Sequence, residues 1–396
     1  KKNSWTVISS SIMFFVDGVL NGKKKVETWN EVRKKSIVGH SRQVNSTSFS
    51  QLSGEHLATG SDDGTARIWD IETGRVVSRI ECNESVVQIA YSPIDDVQVA
   101  TLTGDRCVRV WDIREPKKAI SNIKLNREYI NMAWHPEGNI LAVGSSVGGK
   151  EDPVGGVKDC LSIIDCKRSV VLKRLRFKYE INEFVFASLD IDDLSDSNYL
   201  LLTTEHGTIE VLNIDSTASN TSENNITTNT TPKKEPYTIH GHTDYCYCIS
   251  KAGHLLAVGA KDSLASIWDL RTMVALRYIT RNTTPVRSVA LSHDGAFIAT
   301  ATYDPGVDIA YTSNAERAFF LDTGTTSIHT LAWHPKRYIL ALAGEPKQQS
   351  SNADHHAVQL IAPPPSVIPQ DNPNYVLSDE ELTRARFDNE RSLFSS

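Results

Sequence analysis

Short apolar runs of five or six residues recur along this chain, separated by turns containing Gly, Asp or Asn. Val286–Leu291, Phe297–Thr302 and Val307–Tyr311 are three in succession. Their β-branched and aromatic content and turn-bounded ends predict strands, because branched side chains pack well on a pleated surface. No helical spacing of apolar residues is sustained before the C-terminal tail.

The runs come in sets. The residue closing one apolar run of each set falls at Phe49, Tyr91, Trp134, Phe186, Ile249, Leu291 and Trp333, at successive intervals of 42, 43, 52, 63, 42 and 42 residues. A period of about 40–45 residues with four strands per unit is that of a propeller blade. Two insertions account for the long intervals: the Gly-rich Ser145–Asp159, and the Ser/Thr/Asn tract Ser216–Pro236, whose composition predicts disorder. The expected fold is therefore all-β, a single seven-bladed WD-repeat propeller over 34–362. Lys34–Val38 is expected to close the ring as outer strand of the last blade, beside Val358–Ile361.

The unit ATGSDDGTARIWD (Ala58–Asp70) carries the WD signature in full, with Gly39-His40 ahead of it. His40, Thr59, Asp63 and Trp69 fit a buried hydrogen-bonded chain in which the indole N–H needs an acceptor. Such a set recurs and sits inside blades, so it is structural and not a catalytic triad. Other repeats are degenerate: Thr101, Asp105 and Trp111 remain in the second, without Gly-His. His242, Asp262 and Trp268 remain in the fifth, with Val258 where a hydroxyl is expected, and Thr300 and Asp304 in the sixth, without Trp. In the fourth, His206 takes the Asp position, while Trp134-His135-Pro136 and Trp333-His334-Pro335 mark the third and seventh.

Composition narrows the classes. Net charge −6 and pI ≈ 6.1 argue against a protein that wraps nucleic acid by itself. Six scattered cysteines read as small buried strand residues and not as a disulfide framework. Lys1-Lys2 ahead of Ile12–Val16 has the outline of a signal peptide, but Asp17 interrupts the run and no small-residue cleavage site follows, so secretion is not expected and the run is too short for a membrane span. The flanks are a 1–33 extension and a 363–396 tail, a Pro-rich linker followed by LSDEELTRARFDNERSLF. Ser378 with Glu381 is a capping-box spacing and predicts a short helix from about Asp379 to Arg391.

Candidate chemistry is sparse. There is no phosphate loop, Gly-x-Ser-x-Gly or His-Glu-x-x-His motif, so no enzyme is expected. Cys246 and Cys248 form one Cys-x-Cys without a second pair at zinc spacing, so neither metal nor cofactor is expected. KRSVVLKRLRFK (Lys167–Lys178) reads as a solvated strand pair, or more sharply as a contact for an acidic partner or RNA.

Several stretches outside the blade signature carry a resemblance: YINMAW from Tyr129, FKYEINE from Phe177, LTTEHGTIEVL from Leu202, CYCI from Cys246, AVGAKDSLASIWD from Ala257, PVRSV from Pro285 and VDIA from Val307. They closely resemble the WD-repeat subunit family of the nuclear THO/TREX assembly, from about His40 to Ile361. The chain departs from that family at the Gly-rich insertion, at the polar tract and in the fifth repeat, where CYCISKAGHLLAVG is about two residues shorter; the flanks show no resemblance. The resemblance implies a nuclear, non-enzymatic scaffold that docks helical THO subunits and works with a DEAD-box RNA helicase and an RNA-binding export adaptor. RNA contact would be indirect or weak, and no membrane is involved. The other class in view is a substrate receptor of a ubiquitin ligase or a chromatin reader, for which no F-box, ligase-binding motif or acidic aromatic pocket is found.

Propellers usually bind on the face where each inner strand begins. Counting back from the seven markers gives Gln43, Ser85, Glu128, Glu180, Tyr245, Pro285 and Ser327, and two residues on, Asn45, Val87, Ile130, Asn182, Tyr247, Arg287 and His329. Asp62, Gly104, Lys261 and Tyr303 precede the turn aspartates or their equivalents. Since Tyr and Arg are favoured hot-spot types, the expected partner-binding set is Tyr245, Tyr247, Arg287, Tyr303, Glu180, Asn182, His329 and Lys261.

Overall fold

A computed structural model describes residues 33–125, 129–145, 159–188, 198–214, 229–230, 237–346 and 356–363. The 1–32 extension, the expected tail helix and most of both insertions lie outside the described residues. Seven sheets are present, six of four strands and one of five. Blade 1, for example, meanders through Val44–Phe49, His56–Ser61, Thr65–Asp70 and Val76–Glu81. The innermost strands, Val44–Phe49, Val86–Tyr91, Tyr129–Trp134, Ile181–Ala187, Cys246–Ala252, Val286–Leu291 and Thr325–Trp333, pack each against the next, and the last against the first. The chain is a closed seven-bladed β-propeller, with no α-helix among the described residues.

Ring closure joins the two ends of the domain. Arg33–Ile37 pairs antiparallel with Val358–Ala362 as the outer strand of blade 7, Ile37 opposite Val358 and Arg33 opposite Ala362. The strand order there, with Arg33–Ile37 outermost and Thr325–Trp333 innermost, is the expected closure shifted by one residue.

The core lies between blades, because each sheet is apolar on both faces. Ile68 and Ile80 of blade 1 meet Ile89, Tyr91 and Val99 of blade 2 in one buried cluster. The tryptophans of the two Trp-His-Pro segments are cross-blade donors: Trp134 Nε1 donates to the Ala90 carbonyl at 3.2 Å, and Trp333 Nε1 to that of Ala290 at 3.0 Å. They are therefore not equivalents of Trp69, which acts within its own blade.

Two expectations need correction. The polar tract includes a strand: Asn229–Thr230 pairs in parallel with Arg174–Leu175, adding a fifth strand outside blade 3. KRSVVLKRLRFK is not a strand pair but one turn followed by one outer strand, Val170–Phe177.

Candidate functional site

In blade 1 the polar chain runs from Trp69 Nε1–H to Thr59 Oγ1 (2.9 Å), from Thr59 to His40 Nε2 (2.7 Å), and from His40 Nδ1 to Asp63 (2.9 Å). Burial outweighs the pull of Asp63 and holds the His40 pKa below its ordinary value, which keeps the imidazole neutral so that Nε2 can accept. Gly39 is required here, since a Cβ would meet the Trp69 ring at 2.7 Å.

Blade 5 builds the same chain with a relocated hydroxyl. Trp268 Nε1 donates to Ser266 Oγ (2.7 Å), Ser266 reaches His242 Nε2 (2.7 Å), and His242 Nδ1 lies 3.1 Å from Asp262. Ser266 faces Val258 across the strand pair, as Arg67 faces Thr59 in blade 1. The sequence reading missed Ser266; a serine two residues before the Trp, opposite the missing hydroxyl, is the signal that finds it.

Blade 2 keeps Trp111 on Thr101 (2.8 Å) and replaces the absent His by Arg109, whose guanidinium holds Asp105 and reaches Thr103 at 2.8 Å. Burial opposes it, yet the hydrogen bonds from Arg109 and Thr103 lower the Asp105 pKa. Blade 6 corrects the expectation for Thr300 and Asp304, which do not form one chain. Thr300 Oγ1 reaches the Asp308 carbonyl at 3.4 Å, while Asp304 accepts from Thr283 and Thr284 at 2.8 Å each. The buried centre of that blade is ionic: Asp308, 5% exposed, lies between Arg281 (2.5 Å) and Arg317 (2.6 Å). In blade 4, His206 is exposed and holds no such chain. All of these groups tie strands together.

The surface chemistry sits at the start of the inner strands. Each inner strand carries a register shift there: between Val44 and Ser46, Val86 and Gln88, Tyr129 and Asn131, Ile181 and Phe184, Cys246 and Cys248, Val286 and Ser288, and Ile328 and Thr330. The extra residues are Asn45, Val87, Ile130, Asn182 with Glu183, Tyr247, Arg287 and His329. A bulge turns a side chain out of the ladder, so this ring surrounds the mouth of the central channel.

Blades 5 and 6 bring five of the eight expected partner-binding residues into one run. Lys261 Nζ lies 5.0 Å from the centroid of Tyr245, whose ring is 6.4 Å from that of Tyr247. The Arg287 guanidinium lies 5.9 Å from Tyr247 and 5.1 Å from Tyr303, and Nη1 donates to the Tyr303 hydroxyl at 2.8 Å. Tyr303, at 48% exposure, shows that the run is open to a partner. Asp244, missed from sequence, pairs with Lys261 at 3.4 Å. Burial raises the Tyr247 phenol, so it remains a hydrogen-bond donor at neutral pH. The arrangement offers stacked rings, two cations and phenolic donors, which suits protein recognition.

The other three stand apart. Asn182 Nδ2 is engaged by the Cys246 carbonyl at 2.7 Å, the tie that Asn45 makes to Val86 (3.0 Å), so it acts between blades and not outward. The Glu180 backbone N–H meets Glu205 at 3.3 Å in the neighbouring turn. His329 lies 3.8 Å from Glu345 on blade 7, its pKa lowered by burial against the pull of that carboxylate. Cys246 and Cys248 are buried, and burial pushes the Cys246 thiol up to about 12, which disfavours the thiolate a metal would need.

The WD domain, G-beta repeat family matches residues 31–70, 233–269 and 274–307, in blades 1, 5 and 6. THO complex subunit 3 of Arabidopsis thaliana is 31% identical over 341 residues, covering 84% of this chain and 96% of that protein. The chain belongs to the THO complex subunit 3 family. A WD repeat-containing protein of Dictyostelium discoideum, AAC3, is 23% identical over 342 residues but the match covers 65% of its length. A ribosome biogenesis protein BOP1 homolog of Caenorhabditis elegans shares 40% over 58 residues, which is 15% of this chain. The last two matches are of the extent that a shared blade signature produces, whereas the THO complex subunit 3 match has the length of the whole ring.

Proposed function

We propose that the protein is a non-catalytic scaffold subunit of the nuclear THO/TREX complex, coupling transcription to mRNA packaging and nuclear export through protein–protein contacts. The observation that carries this reading is the full-length match to THO complex subunit 3. Its helical partners dock on the Tyr245–Tyr247–Arg287–Tyr303 run with Lys261, where aromatic and Arg side chains supply hot-spot anchors. The DEAD-box RNA helicase and RNA-binding adaptor are reached through those partners, so RNA contact is indirect, in keeping with the net charge of −6. Glu180 and His329 flank this surface and tune it.

Affinity purification with mass spectrometry tests the reading. The native chain is expected to recover helical THO subunits and the helicase, and to do so after ribonuclease treatment. Tyr247→Ala with Arg287→Ala is expected to reduce recovery by about tenfold, because two exposed anchors of this kind are worth a few kcal/mol together. The melting temperature should stay unchanged. Cullin or histone partners in place of THO subunits overturn the function, and undiminished recovery with the double variant overturns the face.

A further inference from the structure

The outer wall where blades 2 and 3 meet carries chemistry that the channel mouth does not use. Ala119–Lys124 and Val170–Phe177 are the outer strands of these blades. Ser169 Oγ donates to Ser121 Oγ at 2.8 Å across the gap, which sets Ile120 beside Val170. Ile120 is 58% exposed, Val170 41% and Leu172 51%, an aliphatic strip facing solvent. The turn leading into each strand supplies exposed cations, Lys117 and Lys118 on one side and Lys167 and Arg168 on the other. Against these four stand Glu115, in the first turn, and Asp165, 3.7 Å from Arg168. The strip is therefore apolar with a net basic border, in a chain whose overall charge is negative.

The edge beside it already accepts a strand. Asn229–Thr230 runs parallel to Val170–Phe177 with Asn229 opposite Arg174 and Thr230 opposite Leu175. Among the described residues nothing pairs with the first half of that edge, Val170–Lys173. An exposed strand edge offers a row of backbone donors and acceptors to any extended segment, and alternate side chains of that segment meet the two sides.

We propose that this corner is a second docking surface, separate from the channel mouth, and that it takes an extended acidic polypeptide segment with alternating branched aliphatic residues. The segment adds as a strand along Val170–Lys173. Its apolar side chains cover Ile120, Val170 and Leu172, and its carboxylates meet Lys117, Lys118, Lys167 and Arg168. Single-stranded RNA fits less well, because base stacking needs aromatic platforms and the exposed rings, Tyr237, Tyr278, Tyr303 and Phe320, belong to blades 4, 5 and 6.

The test uses the full chain and a fluorescent peptide of alternating glutamate and valine, with a labelled oligouridine of equal charge as comparison. The peptide is expected to bind, and Lys117→Glu with Lys118→Glu and Lys167→Glu to weaken it about tenfold, as loss of complementary charge at a close contact does. Leu172→Ser should weaken it as well, while Tyr247→Ala with Arg287→Ala leaves it unchanged, which separates this surface from the channel mouth. Hydrogen exchange at Val170–Lys173 should slow when the peptide is bound. The changed side chains lie on the surface, and an unaltered melting temperature certifies the fold. Binding of oligouridine alone, peptide binding indifferent to the charge reversals, or no binding of the peptide each overturns the proposal.

Discussion

Ser266 in blade 5 and Thr59 in blade 1 perform one task from opposite members of a strand pair: each hydroxyl accepts the indole N–H and reaches the neutral imidazole. Sequence reading found Thr59 because the motif assigns it a position, and missed Ser266 because a hydroxyl can cross to the facing strand and keep the same space. Arg109 and Asp308 escaped for the same reason, as a guanidinium or carboxylate serves the buried centre without matching the signature. The geometry makes Ser266→Ala costly, since it leaves Trp268 Nε1 and His242 Nε2 buried without their partner. Each such group costs about 1–3 kcal/mol, so a loss of about 3 kcal/mol in chemical denaturation is expected. Adding Val258→Thr should restore most of it, placing the hydroxyl as in blade 1. A cost below about 0.5 kcal/mol, as for an ordinary surface change, would show that the chain of bonds contributes little.

At the scale of the element, the inner strands are held to one another by side chains reaching the next strand's backbone. Ser250 Oγ accepts from Leu291 N–H at 3.0 Å, Thr330 Oγ1 from Thr47 N–H at 3.3 Å, and Glu183 Oε2 from Ile249 N–H at 2.8 Å. Strand positions and the ring of mouth residues were legible because period and turn chemistry repeat in every blade. These lateral ties were not, because a residue's neighbour lies one whole blade away in sequence. Among the three, only Glu183 ionises. Burial raises its pKa from 4.5 to about 7, against the stabilising Ile249 N–H. Below pH 4.5 the carboxyl is neutral folded and unfolded and costs nothing. As pH rises toward 7 the unfolded chain releases the proton first, so folding loses stability, and the loss is complete above pH 7. Glu183→Gln keeps an acceptor for Ile249 and removes this slope. Relative to the native chain it should gain about 2 kcal/mol between pH 5 and pH 8, read from denaturation midpoints. Stability–pH curves that run parallel for the two proteins would exclude a titrating Glu183.

For the whole molecule the decisive contact is the closure of blade 7, where strands from opposite ends of the ring meet. Its outline was legible because blade 7 lacks a fourth strand downstream while an unassigned run, Lys34–Val38, precedes the first Gly-His. The finer boundary was not, since a strand end is set by its partner's register. Closure does two things physically. It buries Ile37, 2% exposed, against Val358 and Leu360, and it pairs the edge of Val358–Ala362, which would otherwise offer free backbone groups to another chain. A chain lacking residues 1–38 should therefore lose several kcal/mol, a drop in melting temperature of about 10 °C or more for a domain of this size, and should aggregate on heating. A synthetic peptide of residues 31–39 supplied in trans restores the missing strand, so it should raise the melting temperature in proportion to its occupancy, whereas a scrambled peptide should not. Because all seven blades share one ring of lateral contacts, the recovery should register equally at Trp111 in blade 2 and Trp268 in blade 5, each followed as the sole remaining tryptophan. Unequal recovery would mean that closure stabilises blade 7 and its neighbours alone, and that the ring unfolds in parts.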